Sequence, residues 1–312
     1  MNLAVRFFFQ GHQYNIGFWP TAFVGLATGV IAGMFGVGGG FFLTPFLMYA
    51  LGIPPEVAVG SALSQKCGTS ISSFLKFRKV GLGEPRFDLL MIGGSLMGAD
   101  LGTRIEVMLS RAPNIHFGPN WEIRADQLWV DILFFIMLSI TGLYMGKDAI
   151  KAMKSNVVRG DVTIPGPLAK IPIPPYVDLP NVGLKKVSLP GIVYLAFVLG
   201  ILTSLLGIGG GVVFTPILMY GYGLSARHAA GTGIMLLFVT VSFATFEASM
   251  HGFVYLPLSL AILAGSGFGT IIGTEITTKV RNRYLRLVFA ILILLTCLGI
   301  IYDVYHNMHF VH

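Results

Sequence analysis

The chain has 312 residues, of which 54% are hydrophobic and 11% charged, and its mean hydropathy is +0.76. Soluble domains carry about 25% charged residues, so this composition excludes an ordinary soluble protein and indicates a membrane protein without a separate soluble domain. The formal net charge of +7 comes from basic residues in a few loops between apolar stretches, which is typical of orientation signals rather than of nucleic-acid binding.

Apolar stretches recur along the whole chain. Residues 1–17 lack a basic region followed by an apolar core and a cleavage site, so we expect them to be retained as an N-terminal interfacial segment. Each later stretch approaches the ~20 residues that span a bilayer, which predicts many crossings. These stretches begin near Phe18, Val57, Phe87, Leu128, Leu189, Ala229, Val254 and Leu285.

The sequence contains a tandem repeat. Residues 36–45 read "GVGGGFFLTP" and residues 207–216 read "GIGGGVVFTP", and this offset of 171 holds without a gap as far as Ile105 and Ile276. We therefore predict transmembrane repeats over 18–155 and 189–305, a proline-rich cytoplasmic linker over 156–188 and a tail over 306–312. The first repeat divides into five segments, at 18–36, 41–52, 56–77, 87–109 and 127–150.

Basic loops predict opposite orientations for the two repeats. They follow the third and fifth segments of the first repeat and the fourth segment of the second, and basic loops face the cytoplasm. Equivalent turns of the two repeats then lie on opposite sides of the membrane. The predicted fold is an all-α polytopic transmembrane helix bundle with two inverted-topology repeats, each containing a Gly-rich broken or re-entrant helix.

The two glycine clusters are candidates for an anion site. The segment after each cluster is too short to span, and Thr-Pro near its start suits a helix N-terminus, whose free N–H groups attract anions. The alternative is close helix packing through small residues. The candidate binding residues here are Gly38, Gly39, Gly40 and Thr44 in the first repeat and Gly209, Gly210, Gly211 and Thr215 in the second.

The repeated motif resembles the TauE/SafE sulfite exporter family. The resemblance rests on the two "GxGGG...P" stretches, each followed by a small-residue run, "AVGSAL" at 58–63 and "AAGTGI" at 229–234. It implies a prokaryotic inner-membrane carrier that exports a small sulfur-containing anion, sulfite or an organosulfonate such as sulfoacetate. It does not imply an enzyme or a cofactor, and no hydrolase motif is present.

Two charges distinguish the first repeat from the second. Lys66 and Asp100 align with Leu237 and Ile271, and at 1.5 Å per residue they lie about 16 and about 20 Å from the cytoplasmic ends of neighbouring helices. They are predicted either to form a structural ion pair or to act in transport, Lys66 on the substrate's negative charge and Asp100 in proton coupling. Ser61, Gln65 and Thr232 are further candidates for substrate hydrogen bonds.

The sequence leaves two functional classes open. A secondary transporter, ion-coupled or proton-coupled, is the main interpretation, and an anion-selective channel or a carrier of a different small anion is the alternative. The expected partners are a small anion and the lipid bilayer, with no nucleic acid, and a homodimer is an open alternative.

Overall fold

The computed structural model describes most of the chain. The described residues are 4–9, 12–35, 40–79, 81, 83–113, 115–118, 121–154, 166–209, 211–280 and 282–309.

The described residues are mostly helical, as predicted, and the five segments of the first half are each confirmed to within a few residues. The helices of that half are α1 (Phe18–Phe35), α2 (Gly40–Leu51), α3 (Pro55–Lys79), α4 (Pro85–Ser110) and α5 (Ala125–Lys154). Those of the second half are α6 (Leu189–Leu206), α7 (Gly211–Pro216), α8 (Ala226–Gly231), α9 (Ile234–Met250), α10 (Leu256–Lys279) and α11 (Asn282–His309).

Three two-stranded antiparallel hairpins lie outside the helices, so the all-α prediction is too simple. The hairpins lie before α1, between α4 and α5, and before α6, so none interrupts a predicted apolar span. The strand pairs are β1 (Ala4–Phe9) with β2 (His12–Gly17), β3 (Ile115–Gly118) with β4 (Trp121–Ile123), and β5 (Tyr176–Leu179) with β6 (Leu184–Ser188).

The two halves differ in their second and third segments. Helix α2 is a single α-helix, whereas α7 continues as a π-helical turn, Ile217–Tyr222. Helix α3 runs unbroken for 25 residues, whereas its counterpart is divided into α8 and α9 at Thr232 and Gly233. The repeat in sequence therefore produces a similar scaffold with local breaks in one half only.

Large apolar side chains point outward from several helices. Phe23 on α1, Met97 on α4 and Phe268 on α10 are each about 70% exposed, while polar groups on α3 are fully buried. This distribution suits a surface covered by lipid. Among the described helices, three are both long and apolar enough to cross a membrane, namely Gln127–Lys147, Leu189–Leu206 and Leu256–Ile276.

Glycines bring two pairs of helices into backbone contact. Gly25, Gly29 and Gly33 of α1 face Ile262, Ser266 and Thr270 of α10 in the same order, so these helices run parallel. A methyl group at Gly29 would lie 2.6 Å from Ser266 Cα, which leaves no room for a side chain. Packing through small residues, the alternative considered for the glycine clusters, thus operates along these helices.

The same backbone contact recurs between α4 of the first repeat and α6 of the second. Gly94, Gly98 and Gly102 of α4 face Val193, Phe197 and Ile201 of α6, again in parallel order. Each first helix of one repeat therefore packs against the fourth helix of the other, so the two repeats are interlocked rather than side by side.

Helices α3 and α9 lie between these pairs. Cys67 Sγ of α3 contacts Ser242 Oγ of α9 at 3.1 Å, and Gly60 lies beside Phe253, so the two helices run antiparallel. Helix α9 runs parallel to α4, because Ser95 and Thr103 of α4 bond to Thr240 and Glu247 in the same order. The third helices of both repeats thus meet in the interior.

The β5–β6 hairpin packs on residues of both halves. The N–H of Gly166, just before it, donates to the carbonyl of Tyr222 at 3.1 Å, and the N–H of Asn181 donates to Glu84 Oε2 at 2.8 Å. Leu179 and Val187 are buried in one apolar cluster with Phe87 of α4. The described part of the segment predicted as a linker, residues 166–188, therefore folds against the helix ends beside it.

Substitution of the packed glycines should destabilise the protein. We expect Gly98→Val to lower the free energy of unfolding by about 1–3 kcal/mol or more, because a Cβ there would lie 2.9 Å from the Phe197 carbonyl carbon. Gly93→Val on the same helix is the matched control, since nothing lies within 4 Å of a Cβ at that position. Thermal melting in detergent measures both, and equal melting temperatures for the two variants would contradict the packing role.

Candidate functional site

The third helix of the second half is interrupted, so that a helix N-terminus lies inside the protein. Gly233 adopts φ +91°, which favours glycine, and α9 begins at the next residue. Asp88 Oδ1 accepts the Gly233 N–H at 2.6 Å and the carboxylate also accepts the Met235 N–H. Thr232 Oγ1 accepts the N–H of Glu84 at 3.1 Å. The start of α4 is thereby fixed against the start of α9.

A cavity of about 20 Å³ lies next to this break. This volume holds about one water molecule. Four of the predicted site residues, Gly209, Gly211, Thr215 and Thr232, line it. The complete lining consists of small, hydroxyl and apolar residues, namely Ser95, Leu199, Gly200, Thr203, Gly209, Gly211, Phe214, Thr215, Thr232, Gly233, Leu236, Leu237 and Thr240.

Lys66 reaches this region from α3. Its side chain is 0% exposed, and its Nζ has no hydrogen-bond partner among the residues that the structure describes. A methyl group at Gly209 would lie 3.1 Å from Lys66 Cδ and 3.2 Å from Leu237 Cδ1. Gly209 adopts φ +71°, so the backbone passes close to the lysine where any other residue would be strained. The lysine stem thus lies against one wall of the cavity.

Further buried polar groups without partners lie on α2, α3 and α6. Thr44 Oγ1 would be 3.0 Å from a methyl group at Gly207, which places it at the end of α6. Buried polar groups are normally hydrogen-bonded, so a group of unpaired ones marks a place where a ligand or water is expected. Within the described residues the unpaired atoms in these helices are Thr44 Oγ1, Ser61 Oγ, the Gln65 amide atoms, Lys66 Nζ and Ser204 Oγ.

The glycine clusters are described only in part. Gly38, Gly39 and Gly210 lie outside the described residues, while Gly40 and Gly211 are the first residues of α2 and α7. Because both helices begin at these glycines, Thr44 and Thr215 lie in the second turn, and the predicted N-cap role of Thr44 is wrong. Pro45 is inside α2 rather than in its first turn and removes one backbone donor there.

The structure does not bring Lys66 and Asp100 together. Asp100 pairs with Arg104 one turn along α4 at 3.0 Å, and their side chains are 39% and 74% exposed. The predicted ion pair is therefore wrong, because similar depth does not determine the direction in which a helix points a side chain. Helix α4 turns its glycines toward α6 and Ser95 toward α9, which leaves Asp100 on the outer side with Met97.

Three polar residues at the site were not predicted. Asp88, Ser95 and Ser204 are all buried, and the first two contact α9 directly. Asp88 falls at the edge of a predicted span, where an interfacial position is the default expectation. Its counterpart in the repeat is Ser259, and this difference in charge, like that at Lys66, was a usable signal.

Comparisons with known proteins agree with the family resemblance that rests on the repeated glycine motif. The family model described as "Sulfite exporter TauE/SafE" matches residues 21–300. The probable membrane transporter protein YunE of Bacillus subtilis is 24% identical over 289 residues, which cover 90% of this chain and 96% of that protein.

Two further relatives match over similar lengths. The probable membrane transporter protein YjnA of Bacillus subtilis is 24% identical over 279 residues, covering 89% of this chain and 97% of its own. The probable membrane transporter protein MJ0441 of Methanocaldococcus jannaschii is 23% identical over 280 residues, covering 86% and 89%. No solved structure matches the chain significantly. The family model covers most of the chain, and the protein belongs to the TauE/SafE sulfite exporter family of membrane transporters.

Proposed function

We propose that this protein is a secondary transporter that exports a small sulfur-containing anion, sulfite or an organosulfonate, across the prokaryotic inner membrane. The observation that carries the proposal is the fully buried Lys66 without a counterion among the described residues, beside a cavity at the glycine clusters. A charge at this depth is costly unless a partner neutralises it. An anionic substrate supplies that partner.

The groups around Lys66 match the needs of an oxyanion. Ser61 and Gln65 are one turn apart on α3 and offer a hydroxyl and an amide donor, and both have unpaired side-chain atoms. Thr232 lines the cavity and offers a further hydroxyl. Because a sulfur oxyanion presents several acceptor oxygens, a lysine with surrounding donors binds it better than an apolar cavity does.

We also infer that the two repeats are inverted. Helix α3 runs parallel to α10, since Ser61 and Gly68 contact Ser259 and Leu263 in order, and α10 runs parallel to α1. Helix α4 runs antiparallel to α3 and parallel to α6. The first helices of the two repeats, α1 and α6, therefore point in opposite directions, which supports inverted topology.

The size of the cavity favours a carrier over a channel. A space for about one water is too small for an anion of several heavy atoms, so binding requires the helices to rearrange. Alternating access includes such rearrangements, whereas a pore conducts through a continuous path. Counterflow of a labelled sulfur anion in proteoliposomes tests this: saturable exchange supports the carrier, and ohmic current without counterflow identifies the rival anion channel.

Removal of the buried charge of Lys66 should weaken binding of the anion without preventing folding. We expect Lys66→Met to weaken binding of sulfite or sulfoacetate at least tenfold, about 1.4 kcal/mol. The melting temperature should be unchanged or higher, since an unpaired buried ammonium is lost. Arg104→Met is the matched control, because Arg104 is exposed and bonded to Asp100. Calorimetric titration measures affinity, and normal affinity in the lysine variant would refute its role.

A side chain at Gly209 should interfere with the site directly. We expect Gly209→Ala to weaken anion affinity at least tenfold, because its methyl group would press on Lys66 Cδ. Gly81→Ala is the matched control: Gly81 has nearly the same φ, +70°, but nothing lies within 4 Å of a Cβ there. Both variants carry the same backbone strain, so equal losses of affinity would show that strain rather than the cavity is responsible.

The inverted topology predicts labelling from opposite sides. In a background with Cys67→Ala and Cys297→Ala, Lys79→Cys and Met250→Cys should react with a membrane-impermeant maleimide from opposite faces. Both positions are exposed, and they are equivalent in the two repeats. We expect the second to react in intact cells and the first only after permeabilisation. Reaction of both from one side would exclude inversion.

A further inference from the structure

We propose that Asp88 couples binding of the anion to binding of one proton, an inference that rests on the proposed function. Asp88 is 3% exposed in the first turn of α4, and its carboxylate accepts the N–H groups of Gly233 and Met235. These N–H groups have no partner within the 17-residue helix α9, because they lie at its N-terminus, and a helix N-terminus favours negative charge. The carboxylate thus occupies donors that an anion would otherwise use.

Neither Asp88 nor Lys66 lines the cavity, but each contacts a residue that does. Gly233 and Thr232 line one part of it, and Gly209, which lies against the Lys66 stem, lines another. An anion held there by Lys66 is repelled by ionised Asp88. Uptake of a proton from water by Asp88 removes the repulsion, and a neutral carboxyl is a weaker acceptor, so the α9 donors become available to the anion. Proton and anion therefore favour each other's binding.

The other ionisable groups around the start of α4 do not provide this link. Glu84, one turn before Asp88, acts on it through its negative charge but is bound to the β5–β6 hairpin through Asn181, and α6 has no charged side chain. Glu247, the charged residue of α9, bonds to Thr103 two turns before the end of α4. Other ionisable side chains that the structure describes on the neighbouring elements include Lys66, Glu56 and Lys79 on α3, His228 on α8, Tyr222 on the π-helical turn, and Asp131 and the exposed Lys147 on α5.

Asp88 takes the place of Asp100 as the coupling residue. Asp100 lies on the outer side of α4, paired with Arg104, and no cavity residue bonds to it among the described contacts. Because proton and anion bind together, transport carries them across the membrane in the same direction, so export moves a proton outward with each anion and is driven by the concentration gradient of the anion.

The test is calorimetric titration of the full-length protein in detergent. The probes are methanesulfonate and thiosulfate, whose own charge stays constant from about pH 5.5 to about pH 8. For wild type we expect affinity to fall with rising pH by up to about tenfold per unit. Titrations in two buffers of different protonation enthalpy should show uptake of up to about one proton per anion.

Three variants test whether Asp88 is the residue that takes up the proton. Asp88→Asn should bind both anions with affinity that does not depend on pH and without proton uptake, while Asp88→Glu should restore the pH dependence. Asp100→Asn is the matched control on the same helix and should behave as wild type. A wild-type pH slope in Asp88→Asn, or its loss in Asp100→Asn, overturns the proposal.

The wild-type measurement tests the link between anion binding and proton uptake even if Asp88→Asn does not fold. Binding of either probe without proton uptake at every pH up to about 8 overturns the role of Asp88 and leaves the proposed transport of anions intact. Failure of wild type to bind methanesulfonate, thiosulfate and sulfite alike overturns the proposed function, and the coupling proposal with it.

Discussion

Direct backbone contact between glycine-bearing helices is the constraint on which the rest of the structure depends. The pairs α1 with α10 and α4 with α6 approach so closely that a single methyl group would collide with the opposite main chain. Such contact joins the repeats, since each pair takes one helix from each half. It also determines which faces of α3, α4 and α9 point inward, and so which polar residues meet at the centre.

The scaffold is repeated but the charges are not. Lys66 aligns with Leu237, and Asp88 aligns with Ser259, so each buried charge has an uncharged counterpart. The helix break has the same asymmetry, because α9 begins at Gly233 whereas α3 continues through the equivalent position. Duplication accounts for two sets of glycines and hydroxyls. The divergence of one half from the other accounts for a lysine, a carboxylate and a helix N-terminus close to the cavity.

The helices and the repeat could be predicted from the sequence, because hydrophobic length and self-similarity are properties of the chain itself. The site could be predicted only in part. Lys66 was found from its depth in an apolar segment, but its distance from Asp100 depends on how α4 is rotated, which packing of Gly98 on α6 decides. Asp88 was missed for the same reason: a carboxylate near a helix end is interfacial unless another helix covers it, as α9 does here.

A balance of charge links the proposed coupling to transport. Lys66 and an ionised Asp88 together carry no net charge, so the protein interior can rearrange without moving a net charge through a medium of low dielectric constant. Addition of a monovalent anion leaves one negative charge, which such a medium penalises. A proton on Asp88 restores neutrality. The states with and without substrate then have the same buried charge, so neither is trapped by an electrostatic cost that the other lacks. A divalent anion retains one excess charge even with the proton, so the proposed coupling neutralises a monovalent form of the substrate fully and a divalent form only in part.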